Sequence, residues 1–160
     1  MNQNDFYQIT YMNIDKYFNN WDKVECYMSV KSLNIMKVEK KKVLGGLIKP
    51  LISNEDTSKN QEFALGIFEP GEGLYPHIHL ESEEIYYVTA GNGTVFAGNE
   101  RKPIKIGKDD VLYIPAGMPH AVTNTGKNTL TIAFFVSPGR KHAGYSVGKD
   151  CKVVEEKILK

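Results

Sequence analysis

Short runs of apolar residues, separated by glycine, proline and polar residues, make up most of the chain. They include VLGGLIKPLI at 43–52, FALGIFE at 63–69 and TLTIAFFV at 129–136. Runs of this length between turn residues are typical of β-strands. We count roughly eight to ten of them, as expected for a β-sandwich or a barrel, which leaves few exposed edges. The pattern therefore predicts an all-β body.

The N-terminal part has a different period. Its apolar residues recur at three- and four-residue spacings: Ile14, Tyr17, Phe18, Trp21 and Val24. This spacing is typical of a short amphipathic helix. We expect that helix to belong to an N-terminal arm. The arm either packs on the main body or is exchanged between the subunits of a dimer.

Composition and charge exclude several classes of protein. The chain has 160 residues, enough for one domain, with 20 basic against 19 acidic residues. This balance gives no basic surface for nucleic acid. The chain has no apolar run long enough to span a membrane, and its first residues lack the features of a signal peptide. With two distant cysteines, Cys26 and Cys151, we expect reduced thiols in a cytoplasmic protein, with a disulfide as the alternative.

The segment GEGLYPHIHLESEEIYYVTAG, residues 71–91, carries the polar residues that suggest a function. His77 and His79 are separated by one residue, so in a strand both side chains point to the same face. Two imidazoles directed into one space suit a metal ion, because neutral imidazole is a common ligand of transition metals. The spacing therefore predicts a metal site.

A carboxylate and a third histidine extend this candidate site. Glu84 begins the next apolar run after the polar turn LESE, and a hairpin at that turn would bring it back beside the two histidines. His120 follows later, in the segment PAGMPHAVTN. The alternative is that these are ordinary surface or core histidines, but their number and spacing favour metal binding.

The residues of this segment resemble the first motif of the cupin superfamily. That motif is a glycine, five residues, HxH, three or four residues, a glutamate, six residues and a glycine. Here Gly71, His77, His79, Glu84 and Gly91 occupy its fixed positions. The match to this motif is complete.

The second cupin motif is matched over its latter half. Pro115, Gly117, His120 and Asn124 stand at the spacing of PxG, two residues, His, three residues and Asn. The motif begins with a glycine, and here Asp109 takes that position. Aspartate tolerates left-handed backbone geometry better than most residues, so this departure is compatible with the turn.

The resemblance implies a double-stranded β-helix, or jelly-roll barrel, with a metal ion inside. It covers residues 63–137. We expect an N-terminal arm and first strands at 1–60, a cupin core at 61–137 and a C-terminal tail packing on the barrel at 138–160.

The resemblance further implies that His77, His79, Glu84 and His120 bind the metal. Strand alternation and the six-residue count to the last glycine of the motif favour Glu84 over Glu83. Such a ligand set suits one divalent transition metal per chain, iron, manganese, nickel or zinc, with open positions for a substrate.

Tyrosines near the ligands are candidates for moving a proton. Tyr75 precedes the histidines and Tyr86 has the parity of Glu84, so both are predicted to be catalytic. Tyr113 and Asn124 are weaker candidates. For each residue, packing in the core is the alternative.

The tail segment PGRKHAGY offers Arg140 and His142, which could close over the mouth of the barrel and hold a carboxylate. A solvated tail is the simpler interpretation.

The predicted function is that of a metal-dependent enzyme acting on a small oxygenated metabolite, an organic acid or a sugar-like molecule. A lyase, isomerase or decarboxylase competes with a dioxygenase. The alternatives are a non-catalytic binding or sensory cupin and a storage cupin. Neighbouring aromatic residues, as at Phe134 and Phe135, favour a homodimer. We expect a small-molecule substrate and no nucleic-acid or membrane partner.

Overall fold

A computed structural model describes residues 32–52, 61–139 and 150–160. The predicted N-terminal helix, Cys26, Arg140 and His142 lie outside these residues. The chain divides into two compact units, Met1–Lys37 and Val38–Lys160. The described end of the first unit holds a short 3₁₀ helix, Ile35–Lys37. No helix in the described ranges is long and apolar enough to cross a membrane.

The described part of the second unit contains eleven strands. They are β1 (Lys41–Val43), β2 (Gly46–Ile52), β3 (Glu62–Phe68), β4 (Gly73–His79), β5 (Glu83–Ala90), β6 (Asn92–Ala97), β7 (Lys102–Gly107), β8 (Val111–Ile114), β9 (His120–Thr123), β10 (Leu130–Ser137) and β11 (Cys151–Val153). Six form one antiparallel sheet in the order β1-β2-β3-β10-β5-β8, and five form another in the order β11-β4-β9-β6-β7. The all-β prediction is confirmed.

The core lies between the two sheets, because each sheet turns alternate side chains inward. Along β3, buried and half-buried residues alternate strictly, as expected for a strand with one face in the core. Buried residues of both sheets form a single cluster, which includes Phe68, Tyr86, Val122 and Phe134. This shared core makes the two sheets one jelly-roll body.

The predicted hairpin between β4 and β5 is wrong. The two strands belong to different sheets: β4 pairs with β9 and β11, whereas β5 pairs with β10 and β8. Residues 80–82 therefore carry the chain from one sheet to the other. A short polar turn looks the same in sequence whether it joins paired strands or crosses between sheets, because the pairing is decided by distant strands. Glu84 consequently reaches the histidines from the opposite sheet.

A β-bulge interrupts β4 just before the histidines. Leu74 pairs with Val122 and His77 pairs with His120, so β4 takes three steps where β9 takes two. The extra residue shifts the side-chain parity of β4. Leu74 and His77 are therefore both buried, although strict alternation would place them on opposite faces. The bulge directs the histidine pair into the interior.

Left-handed turns fix the ends of the strands around the site. Asp109, at the position of the motif glycine, has φ +74°, which confirms that aspartate accepts this geometry here. Gly91 has φ +78° and ends the first motif, and a Cβ atom on it would collide with the carbonyl oxygen of Thr129. Gly71, at the other end of the motif, has φ +85°, but a Cβ atom on it would meet nothing within 4 Å.

We expect Gly91→Ala to destabilise the protein much more than Gly71→Ala. Both changes add the cost of a left-handed alanine, about 1 kcal/mol. Only Gly91→Ala also forces a side chain against the backbone of β10, for a total of about 3 kcal/mol. Urea denaturation of the two variants measures the difference, and equal losses of stability would contradict the packing described for Gly91.

Candidate metal centre

Three histidines meet on the inner face of the five-stranded sheet. His77 and His79 belong to β4, and His120 is the first residue of the neighbouring strand β9. His77 and His120 are paired across the two strands, and their ring centroids lie 4.2 Å apart. All three side chains are buried. The structure thus brings together the three histidines that the sequence predicted.

Glu84 completes the group from the six-stranded sheet. Its Oε1 lies 3.2 Å from Nε2 of His79, and its Oε2 lies 3.1 Å from Nε2 of His120. One potential ligand atom from each of the four residues lies within 4.8 Å of the others. The neighbouring Glu83 is exposed and accepts a hydrogen bond of 2.7 Å from the hydroxyl of Tyr113. The geometry therefore agrees with Glu84 rather than Glu83.

The outer nitrogen of each imidazole is held by an acceptor. Nδ1 of His77 donates to the carbonyl oxygen of Tyr75 at 2.7 Å, and Nδ1 of His120 donates to that of Met118 at 2.8 Å. Nδ1 of His79 donates to Oδ2 of Asp150 at 3.0 Å. Because carbonyl and carboxylate oxygens only accept, the Nδ1 atoms carry the protons. In neutral rings the Nε2 atoms then carry lone pairs, which point to the centre of the site.

This donor set fits a divalent cation. Two Nε2 atoms face carboxylate oxygens at little more than 3 Å, and both partners are acceptors when the rings are neutral. A cation held by the four residues would replace this repulsion with attraction. Three imidazole nitrogens and one carboxylate oxygen are ligands that iron, manganese, nickel and zinc all accept. The four residues could therefore bind a metal ion.

The protonation states suit the same role. Burial lowers the pKa of the His77 imidazole well below its usual value, and the nearby His120 lowers this pKa further. Burial alone would raise the pKa of the Glu84 carboxyl group. When Nε2 of His120 and of His79 carries a proton, their hydrogen bonds to Glu84 outweigh burial and hold that pKa well below its usual value. A neutral imidazole beside an ionised carboxylate is the form in which these groups bind a metal.

Asp150 is a functional candidate that the sequence analysis missed. It lies directly before β11, which pairs with β4 so that Cys151 is opposite His79. Besides accepting from His79, Asp150 accepts hydrogen bonds at its Oδ1 from the backbone amides of Glu81, at 2.6 Å, and Ser82, at 3.1 Å. It therefore orients the His79 ring and holds the crossing between the sheets. The sequence signal is weak, a lone aspartate 71 positions away from its histidine.

A small pocket reaches three of the four residues. Its cavity volume is about 30 Å³, and His77, His79 and Glu84 form part of its wall. Most of the remaining wall is apolar, with Ile48, Leu74, Phe134 and Val136 among its residues, but it also includes Glu62. A mostly apolar lining with a few polar groups is typical of small-molecule sites.

The two tyrosines predicted to be catalytic lie beside the pocket rather than in its wall. The ring of Tyr86 is buried, packs against Phe134 at 4.6 Å between centroids and faces the ring of His120 at 6.0 Å. The half-buried Tyr75 follows the start of the bulge and packs over Gly45. If Tyr86 acts directly on a molecule bound at the metal, it does so from the side of His120.

The two weaker candidates have structural partners outside the pocket. Tyr113 is exposed, and its hydrogen bond to Glu83 raises the pKa of its hydroxyl group. The side-chain amide of Asn124 donates to the carbonyl oxygens of Phe68 and Asn128. Asn124 therefore ties the loop after β9 to the end of β3.

Comparison with known proteins identifies the family. The cupin domain family matches residues 64–137. An uncharacterized protein of Methanocaldococcus jannaschii is 32% identical over 118 residues, which cover 69% of this chain and 93% of that protein. The polyketide synthase protein CurC of Streptomyces cyaneus is 30% identical over 112 residues, covering 69% and 71%. The chain therefore belongs to the cupin superfamily.

A solved structure supports the same fold. An uncharacterized conserved protein from Klebsiella pneumoniae, with a double-stranded β-helix domain, superposes with a TM-score of 0.62. The alignment covers 79% of this chain and 98% of the other at 13% identity. At this identity the similarity concerns the fold alone. It confirms the predicted double-stranded β-helix.

We expect Asp150→Asn to weaken metal binding by about 10- to 100-fold, the usual effect of removing a carboxylate that orients a metal-binding histidine. The asparagine retains one oxygen acceptor for the backbone amides, so the fold is preserved. Competition with a chromophoric chelator measures the affinity. Asp110→Asn is the matched control, because Asp110 accepts from a backbone amide in an exposed turn. Unchanged affinity in Asp150→Asn would contradict the orienting role.

Proposed function

We propose that this protein is a metal-dependent cupin enzyme that acts on a small oxygenated metabolite, an organic acid or a sugar-like molecule. The observation that carries the proposal is the convergence of three imidazoles on Glu84 with their outer nitrogens already engaged. Such a set leaves coordination positions open for a substrate. The similarity to a polyketide synthase protein supports a role in metabolism.

The chain's own groups define what the site can do. A bound divalent metal would supply Lewis acidity, stabilising negative charge that develops on a substrate oxygen. His77, His79, His120 and Glu84 would hold the ion at the end of the pocket. The apolar wall excludes water and strengthens electrostatic interactions within the site.

Two classes of reaction use such a site. A lyase, isomerase or decarboxylase needs a group that moves a proton, and Tyr75 and Tyr86 are our candidates for it. A dioxygenase needs a metal that binds O₂. The identity of the bound metal distinguishes the two classes. Iron favours dioxygen chemistry, whereas manganese or nickel favours a lyase, isomerase or decarboxylase.

We expect the purified protein, with no metal added after lysis, to contain about one iron, manganese or nickel ion per chain. His79→Ala and Glu84→Gln should contain almost none, since each removes a ligand. Glu83→Gln is the matched control, because Glu83 is the exposed neighbour of Glu84, and it should retain the metal. Elemental analysis of the four proteins measures this directly.

A wild-type protein that is metal-free and takes up none of these ions would overturn the enzyme proposal in favour of the non-catalytic binding module. Loss of metal from Glu83→Gln but not from Glu84→Gln would reverse the assignment of the carboxylate ligand.

We expect Tyr86→Phe or Tyr75→Phe to lower kcat by about 10²- to 10⁴-fold if that hydroxyl moves the proton, with the metal content unchanged. The assay is turnover on the substrate found by screening the metal-loaded protein. Tyr87→Phe is the control, because Tyr87 lies on the outer face of β5 with its hydroxyl donating to Asp109. A kcat within about twofold of the control would assign the tyrosine to packing alone.

A further inference from the structure

One turn in the wall of the pocket carries a residue that its backbone geometry does not favour. Strands β1 and β2 form a hairpin in which Val43 pairs with Gly46, so Leu44 and Gly45 are the two residues of its turn. Both have a positive φ, +49° at Leu44 and +86° at Gly45. A two-residue turn of this kind prefers asparagine, aspartate or glycine at its first position, and leucine is strained there. A leucine in this place suggests that its side chain is needed.

Leu44 belongs to the wall of the pocket beside the candidate metal centre. Leu44 and its neighbour Val43 are half-buried and pack against the hydrophobic core. Both residues line the same pocket as His77, His79 and Glu84. The turn therefore brings aliphatic side chains to the space in front of three candidate ligands.

The turn is attached to the strand that carries two of the histidines. The backbone amide of Tyr75 donates to the carbonyl oxygen of Leu44 at 2.7 Å, and the carbonyl oxygen of Tyr75 accepts from Nδ1 of His77 at 2.7 Å. The ring of Tyr75 packs over Gly45, where a Cβ atom would collide with it. Tyr75 thus holds both the turn and a candidate ligand, so Leu44 has a fixed position relative to the site.

The space that this wall leaves free is small. The cavity volume of about 30 Å³ is enough for roughly two water molecules. A ligand of the metal would bring its donor oxygens into this space, and a bulky group on the neighbouring carbon would meet the wall. Closely packed side chains do not yield readily to added bulk. The size of the side chains in the wall therefore decides which molecules can reach the ion.

We propose that Leu44 limits the size of the ligands that reach the metal. Its side chain closes the pocket against bulky groups and admits the small head of an organic acid, which binds through two oxygens. The inference rests on the proposed function, since it requires a ligand that binds the metal directly. The substrate class is then a small hydroxy or keto acid with little bulk on the carbon beside its carboxylate, rather than a sugar.

Three achiral acids with the same metal-binding head test this inference. Glycolate, 2-hydroxyisobutyrate and 2-ethyl-2-hydroxybutyrate share an α-hydroxycarboxylate group, and their α-carbon carries two hydrogens, two methyl groups or two ethyl groups. Each is titrated into the Co(II)-loaded protein, whose visible spectrum shifts when a ligand binds to the ion, and into aqueous Co(II) as the reference. The readout is therefore binding, independent of turnover.

In the wild-type protein we expect glycolate to bind about tenfold more tightly than 2-ethyl-2-hydroxybutyrate, relative to their affinities for aqueous Co(II). Leu44→Gly removes the side chain from the wall and suits the left-handed turn, so it should reduce this preference to about twofold. Leu44→Ala keeps a Cβ atom and should give an intermediate preference; it decides the question if the glycine variant loses its cobalt. Asp109→Gly is the control, because it changes another left-handed turn residue, with φ +74°, outside the pocket wall.

The outcomes separate the two proposals. If glycolate shifts the spectrum of neither the wild type nor Leu44→Gly, the ion is closed to ligands, and both the proposed function and this inference fail. If the wild type binds 2-ethyl-2-hydroxybutyrate as tightly as glycolate, only the role of Leu44 is overturned. A preference that survives unchanged in the cobalt-loaded Leu44 variants overturns it as well. Glycolate binding to Leu44→Gly alone would overturn the substrate class, because the wall would then exclude even the smallest of the three acids.

Discussion

Four buried polar side chains lie in the interior of this barrel beside an apolar core. Each of them needs polar partners or a cation, and this need constrains the rest of the structure. Each imidazole has one nitrogen fixed by an acceptor outside the site, from Tyr75, Met118 or Asp150. The remaining nitrogens and the Glu84 carboxylate are left facing one another. A divalent cation would satisfy all four groups at once, because neutral imidazole nitrogens and a carboxylate all present lone pairs.

The double-sheet architecture produces this arrangement by bringing ligands from opposite walls. The histidines belong to one sheet and Glu84 to the other. The four residues therefore come together only when the two sheets pack against each other. The bulge in β4 turns His77 inward, and Asp150 fixes both the His79 ring and the crossing to β5. Residues that shape the backbone therefore also set the geometry of the candidate metal centre.

The pocket beside the candidate metal centre is mostly apolar. Ile48, Leu74, Phe134 and Val136 form much of its wall. One fold can support many chemistries, because the side chains placed on it decide what it binds and which reaction it performs. The side chains in this wall, together with the four candidate ligands, therefore define the site of this cupin.

Local patterns in the sequence were enough to predict most strands, through alternation and turn residues. They also predicted the group of candidate ligands His77, His79, Glu84 and His120, because the spacing of these residues has a direct meaning in strand geometry. Even Asp109 in place of glycine was predictable, because its backbone preference is a local property. Which strands pair became known only from the fold, and with it the crossing after β4, the bulge and the contacts of Asp150. These features depend on contacts between residues far apart in the chain, which no local pattern encodes.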